Sequence, residues 1–339
     1  MRTDRIFAAA FVVLVSTAIV GFSAGNSSAS FTGTTTNPGQ ILNTQNVAPP
    51  ASFTSATAAV AGRIDLVWTA TTSPAGSHAL TYLVLRGPVG GPYAQVGTTA
   101  GLTYSDTPGA DGTYEYVVQT KIAQGSGFFT SGNSATKSTK SDRTAPTMSA
   151  TCNGGSCAGW FNGSVTFVVS GADGAGVGMG TATTNVDGAG AITSAAPRMV
   201  TVSGESATHS VVYSGADAVS NASGNASQTV KIDLTNPTAA GGITAATGSN
   251  SGDLNVTGTS AGTDALSGVA GYRVYYAAGN SCPATPYAAF QYFAGNPPPT
   301  PLVVTGLISG TKYCAYVVTV DNAGNLSALS NVAGPNKAK

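Results

Sequence analysis

The sequence is poor in the groups that do chemistry. Glutamate occurs only at Glu115 and Glu205, histidine only at His78 and His209, and charged residues make up 8% of the 339 residues. The glutamates and histidines lie far apart along the chain, so neither a glycosidase carboxylate pair nor a histidine-centred general base is in evidence. His209 alternates with Val211 and Tyr213 and reads as a packed strand residue. Beyond the N-terminal apolar run, no stretch carries apolar residues at helical spacing, and therefore no Gly-x-Ser-x-Gly elbow leads into a helix. The glycines of "GADGAGVGMG" lack the strand-to-helix setting of a phosphate loop and read as a turn. Lysine and arginine do not cluster and the formal charge is zero, which removes the electrostatic term that nucleic-acid binding needs. No cofactor is expected.

What is present is a strand-forming chain. Hydrophobic residues make up 42%, enough for buried cores, and glycine (44 residues) is abundant. At the N-terminus Arg2 and Arg5 precede an apolar run from Ile6 to Ala24 and then "GNSSAS", the order of a secretory signal peptide over residues 1–29. The alternative is an uncleaved anchor, because the run approaches the roughly 20 residues that span a bilayer. With the signal cut, no membrane span is expected in the mature chain, and the location is secreted or cell surface. Residues 30–46 read as a linker.

The rest repeats. "DRTAPT" begins at Asp142 and "DLTNPT" at Asp233, while "GADGAGVG" places Asp173 as far beyond the first as "GTDALSGV" places Asp264 beyond the second. A further pair of turns surrounds Asp217 and Asp321. A period of about 90 residues is the size of a β-sandwich and predicts domains at 47–141, 142–237 and 238–339. Their connections near Asp142 and Asp233 are expected to be the points of proteolytic cleavage. Inside each domain the period is two, as in Ile64/Leu66/Trp68, Val165/Phe167/Val169 and Tyr313/Ala315/Val317/Thr319. On the last of these strands Cys314, Tyr316 and Val318 point away from the core. The fold class is all-β, three sandwiches in tandem.

The stretch "VTGLISGTKYCAYVVTVDNAGNLSALSN" resembles strands E, F and G of a fibronectin type III domain, with Tyr313 in the place of the tyrosine corner. The first domain is similar, with Pro49 and Pro50 at its entry, Trp68 in strand B, Tyr82 and Arg86 in strand C, and Tyr114 after "DGT". The middle domain resembles the immunoglobulin-like repeats of secreted and surface proteins of bacteria. These likenesses speak to fold far more than to function. They imply a non-catalytic secreted or surface protein acting in adhesion, spacing, or protein or glycan binding. The alternative is an accessory polysaccharide-binding protein working beside extracellular glycoside hydrolases. No Arg-Gly-Asp occurs, so integrin binding is not implied.

Four cysteines in an exported chain should form disulfides, with three possible connectivities. The domain boundaries favour Cys152 with Cys157 and Cys282 with Cys314, the second pair joining strand F to the segment after its sheet neighbour. A four-thiol zinc site would need convergence across separate domains. The turn aspartates Asp173, Asp217, Asp264 and Asp321 read as caps of their own turns, with no metal. Calcium held at a domain junction is the competing reading, weakened by the lack of a D-x-D-x-D run. Tyr275, Tyr287, Tyr292 and Phe293 form an aromatic concentration proposed as ligand-binding. The opposing account has Tyr276 and Phe290 filling the core and Pro297–Pro299 protecting a sheet edge.

Overall fold

A computed structural model describes residues 47–73, 75, 78–296 and 300–339. The expectations for the signal peptide, the 30–46 linker and Pro297–Pro299 lie outside the described residues. Among those residues the only helical element is a 3-10 turn at Val60–Gly62, and no helix is long and apolar enough to cross a membrane. The chain packs as two compact units. One holds most residues up to Ser138, and the other holds residues 139–339 with the short segments 57–64 and 106–113.

The first sandwich, most of which lies in the first unit, has eight strands, β1 (Phe53–Ala58), β2 (Ile64–Trp68), β3 (Leu80–Gly87), β4 (Ala94–Thr99), β5 (Thr103–Asp106), β6 (Gly112–Gln124), β7 (Gly127–Thr130) and β8 (Lys137–Ser141). One sheet runs β1-β2-β5 and the other β4-β3-β6, with β7 and β8 also paired to β6. Trp68 joins them. Its indole meets Phe53 edge-on at 6.4 Å and Tyr82 of the opposite sheet at 5.6 Å. Such pairs add stability beyond the area they bury.

The second unit contains two more sandwiches. The middle one comprises β9 (Thr147–Cys152), β10 (Trp160–Phe161), β11 (Val165–Ala172), β12 (Met179–Val186), β13 (Ile192–Ala195), β14 (Arg198–Val202), β15 (Ser206–Asp217) and β16 (Ala226–Ile232). Its sheets run β14-β11-β9 and β10-β16-β15-β12-β13. Val165, Phe167 and Val169 from one sheet pack on Ala182, Val211 and Val230 from the other.

The last sandwich comprises β17 (Thr244–Thr247), β18 (Leu254–Thr257), β19 (Val269–Ala278), β20 (Ala289–Ala294), β21 (Leu302–Val304), β22 (Lys312–Asp321) and β23 (Ala333–Lys337). A β17-β18-β21 sheet faces a β20-β19-β22-β23 sheet. Leu254, Val256, Tyr272, Val274, Tyr313, Ala315 and Val317 fill the space between them. The Tyr313 hydroxyl accepts a hydrogen bond from the Ile308 amide at 3.2 Å, closing the bend between β21 and β22 as a tyrosine corner does.

Strand β22 is buried on both faces, which is unusual for a two-layer fold. Its inner side chains meet the core, while Cys314, Tyr316 and Val318 form a second cluster outside it with Tyr287. The segment between β19 and β20 supplies the cover, tethered by the disulfide between Cys282 and Cys314. The other disulfide links Cys152 and Cys157, and no described cysteine is free.

The two bridges close loops of unequal length, with sequence separations of 5 and 32. Loop-closure entropy then assigns about 2 kcal/mol to the short bridge and about 4 kcal/mol to the long one. Urea denaturation should show the Cys282→Ser/Cys314→Ser variant losing more stability than Cys152→Ser/Cys157→Ser. The reverse order would mean that the long bridge strains the fold it closes.

Candidate functional site

Two features of the second unit concentrate functional side chains. The first is the outer face of the β20-β19-β22-β23 sheet. Antiparallel register sets Tyr275 opposite both Phe290 and Tyr316. The result is a row of rings across three strands. Tyr275 lies 5.0 Å from Phe290 and stacks on Tyr316 at 5.1 Å, and Tyr316 meets Tyr287 at 5.0 Å. The Arg273 guanidinium sits 5.1 Å over the Phe290 ring. Gly271 lets the Tyr292 hydroxyl cross its strand, since a Cβ there would meet that oxygen at 2.7 Å.

The four sequence candidates separate on this face. Tyr292 is 49% exposed, and Tyr275 is half-buried within the row. Tyr287 is only 5% exposed, its amide donating to the Tyr316 hydroxyl at 3.0 Å, so it is cover and not a contact surface. Burial, and then the neighbouring Tyr316, pushes the Tyr287 phenol above its ordinary range. Phe293 points into the core opposite Tyr272. Conversely Phe290, assigned to the core in the opposing account, is 44% exposed. Strict alternation along β20 explains both corrections. Residues 290 and 292 share the outer face while 293 must face inward, and counting by two from Tyr292 would have found Phe290.

The second feature is a pair of carboxylate clusters, one at an end of each sandwich in this unit. One carboxylate oxygen each from Asp142, Asp173 and Asp217 lie within 4.8 Å of one another, and the same holds for Asp233, Asp264 and Asp321. Strand ends place them. Asp173 follows β11, Asp217 closes β15 and Asp321 closes β22, while Asp142 and Asp233 occupy the connecting segments.

Each aspartate does cap local backbone. Asp142 accepts from the Thr144 and Val177 amides at 3.0 and 2.8 Å, Asp173 from Gly178 at 2.6 Å, and Asp217 from Val219 and Asn221 at 2.9 and 2.8 Å. In the second cluster Asp233 accepts from Thr235 and Ser267, Asp264 from Gly268, and Asp321 from Asn325. An asparagine completes each set. Asn221 Nδ2 donates to the Asp142 carbonyl and Asn325 Nδ2 to the Asp233 carbonyl, both at 2.9 Å. The aspartates are thus caps of their own turns, and the turns also meet, as the competing reading of the sequence had them do.

His209 is a structural clip. Its Nδ1 lies 2.7 Å from Asp187 Oδ2 and its Nε2 lies 3.0 Å from the Gly204 carbonyl, so both ring nitrogens face acceptors. Burial alone would lower its pKa, but the hydrogen bonds to Asp187 and Gly204 outweigh burial and hold it above the ordinary value. Asp187 is held below the usual carboxylate range, first by His209 and then by the Ser210 amide.

No protein-family model matches the chain, and no curated protein matches it. Among solved structures, the FN1–FN3 domains of chicken CNTN1 align at 14% identity and a TM-score of 0.38, covering 84% of this chain and 97% of that one. Domains A168–A170 of titin align at 15% identity and a TM-score of 0.37, covering 87% and 97%. Likeness at this level assigns no family.

The His209–Asp187 pair generates a pH dependence of known sign. The histidine's contribution is complete below its unfolded pKa of about 6.5 and is lost as pH rises through the higher folded value, while the aspartate's is lost only in acid. Because Asp187 is 44% exposed the pair is worth less than about 1 kcal/mol. The stability difference between the native protein and His209→Gln should therefore be largest near pH 5–6 and shrink towards pH 9. A difference that grows with pH would contradict the assignment.

Proposed function

We propose that this chain is a non-catalytic, exported modular protein, secreted or held at the cell surface, that spaces or attaches other components through fibronectin type III-like and immunoglobulin-like sandwiches. Spacing needs junctions that resist bending, and the connection around Asp233 supports that role. Asp233 is wholly buried, and its amide donates to the Phe161 carbonyl of the middle sandwich at 2.9 Å. Its carboxylate and carbonyl accept from Ser267 and Asn325 of the last sandwich. Thr235 continues the tie, its hydroxyl donating to Glu205 at 2.7 Å. One residue thus bonds to both sandwiches, and a hinge there would strand buried polar groups. The disulfides support an oxidising, extracellular setting.

This tie argues against ready cleavage at Asp233, which is 0% exposed. A protease needs several residues of free, extended backbone. Limited proteolysis of the native protein should spare the 233–238 connection, and Asn325→Ala should make it cleavable several-fold faster. Rapid cutting of the native protein at that connection would argue for a flexible string and against a spacer.

The alternative, accessory polysaccharide binding, is favoured by one observation. Phe290 and Tyr292 present exposed rings beside Arg273 on an edge strand, a surface on which sugar rings can stack. A pull-down on insoluble chitin, cellulose and peptidoglycan tests it. Retention on one polymer, lost in Phe290→Ala/Tyr292→Ala with the melting temperature unchanged, supports this reading. No retention on any of the three returns the face to protein contacts.

A further inference from the structure

We propose that the Asp142–Asp173–Asp217 cluster binds a calcium ion, and that its structural repeat at Asp233–Asp264–Asp321 binds a second. Asp142 and Asp217 are 1% and 3% exposed, yet among the described residues no lysine, arginine or histidine forms an ion pair with any member of the cluster. The adjacent Lys140 spends its ammonium on the Ala175 and Gly176 carbonyls, at 3.0 and 2.9 Å. Carboxylates gathered out of water without a positive partner repel one another and forfeit hydration.

Asp173 supplies the independent sign of a missing partner. Its Oδ2 accepts the Gly178 amide, while its Oδ1 is shielded from solvent and has no hydrogen-bond partner. A buried anionic oxygen left unpaired is rare because it is costly, and a cation satisfies it.

The donor set narrows the ion. In each cluster the three oxygens lie within 4.8 Å of one another, close enough to share one hard cation. Calcium accepts an irregular set of carboxylate oxygens, whereas magnesium demands a near-ideal octahedron and gives up its waters reluctantly. Hard oxygen donors with no nitrogen or thiolate also disfavour zinc and copper. Gly176 keeps the place open, because a Cβ there would collide with the carboxylates of both Asp173 and Asp142. A cavity of about 290 Å³ is lined in part by Asp142, Asp173, Gly174 and Gly176.

The arrangement recurs with its accessory. The second cluster takes the equivalent aspartates and the same asparagine-to-carbonyl bond, from Asn325 in place of Asn221. Each ion would cross-link one connecting segment to two strand ends. The three carboxylates become one charge-balanced node.

Calorimetric titration of the full exported chain with calcium chloride, after chelator treatment, tests this directly. Two sites are expected, with dissociation constants no weaker than about 1 mM, the range of extracellular calcium modules. At a hundredfold excess over the dissociation constant the melting temperature should rise by about 5–10 °C. Asp173→Asn and Asp264→Asn should each remove one site and part of the shift. Should either variant fail to fold, hydrogen exchange of the native protein serves in its place, with slower exchange expected at the Val177, Gly178, Ser267 and Gly268 amides in calcium than in chelator. The proposal is overturned by an absence of binding and melting shift up to about 10 mM calcium, by exchange indifferent to the ion, or by a folded Asp173→Asn that retains both sites. An equal response to magnesium would overturn the choice of ion.

Discussion

The second unit turns on how a buried carboxylate is satisfied where one sandwich ends and the next begins. Asp233 has no access to water, so each of its polar atoms needs a partner supplied by protein. Those partners come from both sides, the Phe161 carbonyl from behind and the Ser267 amide and Asn325 side chain from ahead. Opening the connection would uncover all of these groups together. A short Thr-Asn-Pro-Thr segment, which in isolation would be a loose linker, therefore acts as a fixed joint. The same design, with Asp142, Asp217 and Asn221, stands at the corresponding end of the middle sandwich.

Within the last sandwich the governing constraint is that β22 is covered twice. An antiparallel sheet ordinarily packs one face and wets the other. Here the outer face carries Tyr316 and Cys314, too apolar to leave wet, and the 279–288 segment folds back to cover them with Tyr287. The disulfide holds that segment at the strand, and the Tyr287 amide satisfies the Tyr316 hydroxyl. The cover stops short of β20. Phe290 and Tyr292 are left outside it, which is why the exposed rings sit at the sheet edge and not at its centre.

Much of this was legible along the chain. The period-two runs identified the cores, since Ile64/Leu66/Trp68 and Val165/Phe167/Val169 are each buried as their alternation requires. The repeated Asp-x-Thr-x-Pro-Thr segments marked the connections, and Tyr313 sits where the bend between β21 and β22 needs a hydroxyl. Tyr287 and Phe293 were misplaced for a physical reason. Aromatic density along a segment says nothing about which ring is turned inward, whereas strand register says it at once. The carboxylate clusters were hidden more deeply, because Asp142, Asp173 and Asp217 lie tens of residues apart and meet only when a connecting segment and two strand ends arrive at one place.

The amino-acid sequence by itself determined what local physics can decide. Alternating β-branched and aromatic residues demand strands, and glycine and proline punctuate them. Tertiary structure alone decided which groups share a site. Whether an aspartate is a solitary turn cap or one of three oxygens around a common point depends on distances across the sandwich. Those distances follow from packing two sheets together, not from any interval along the chain.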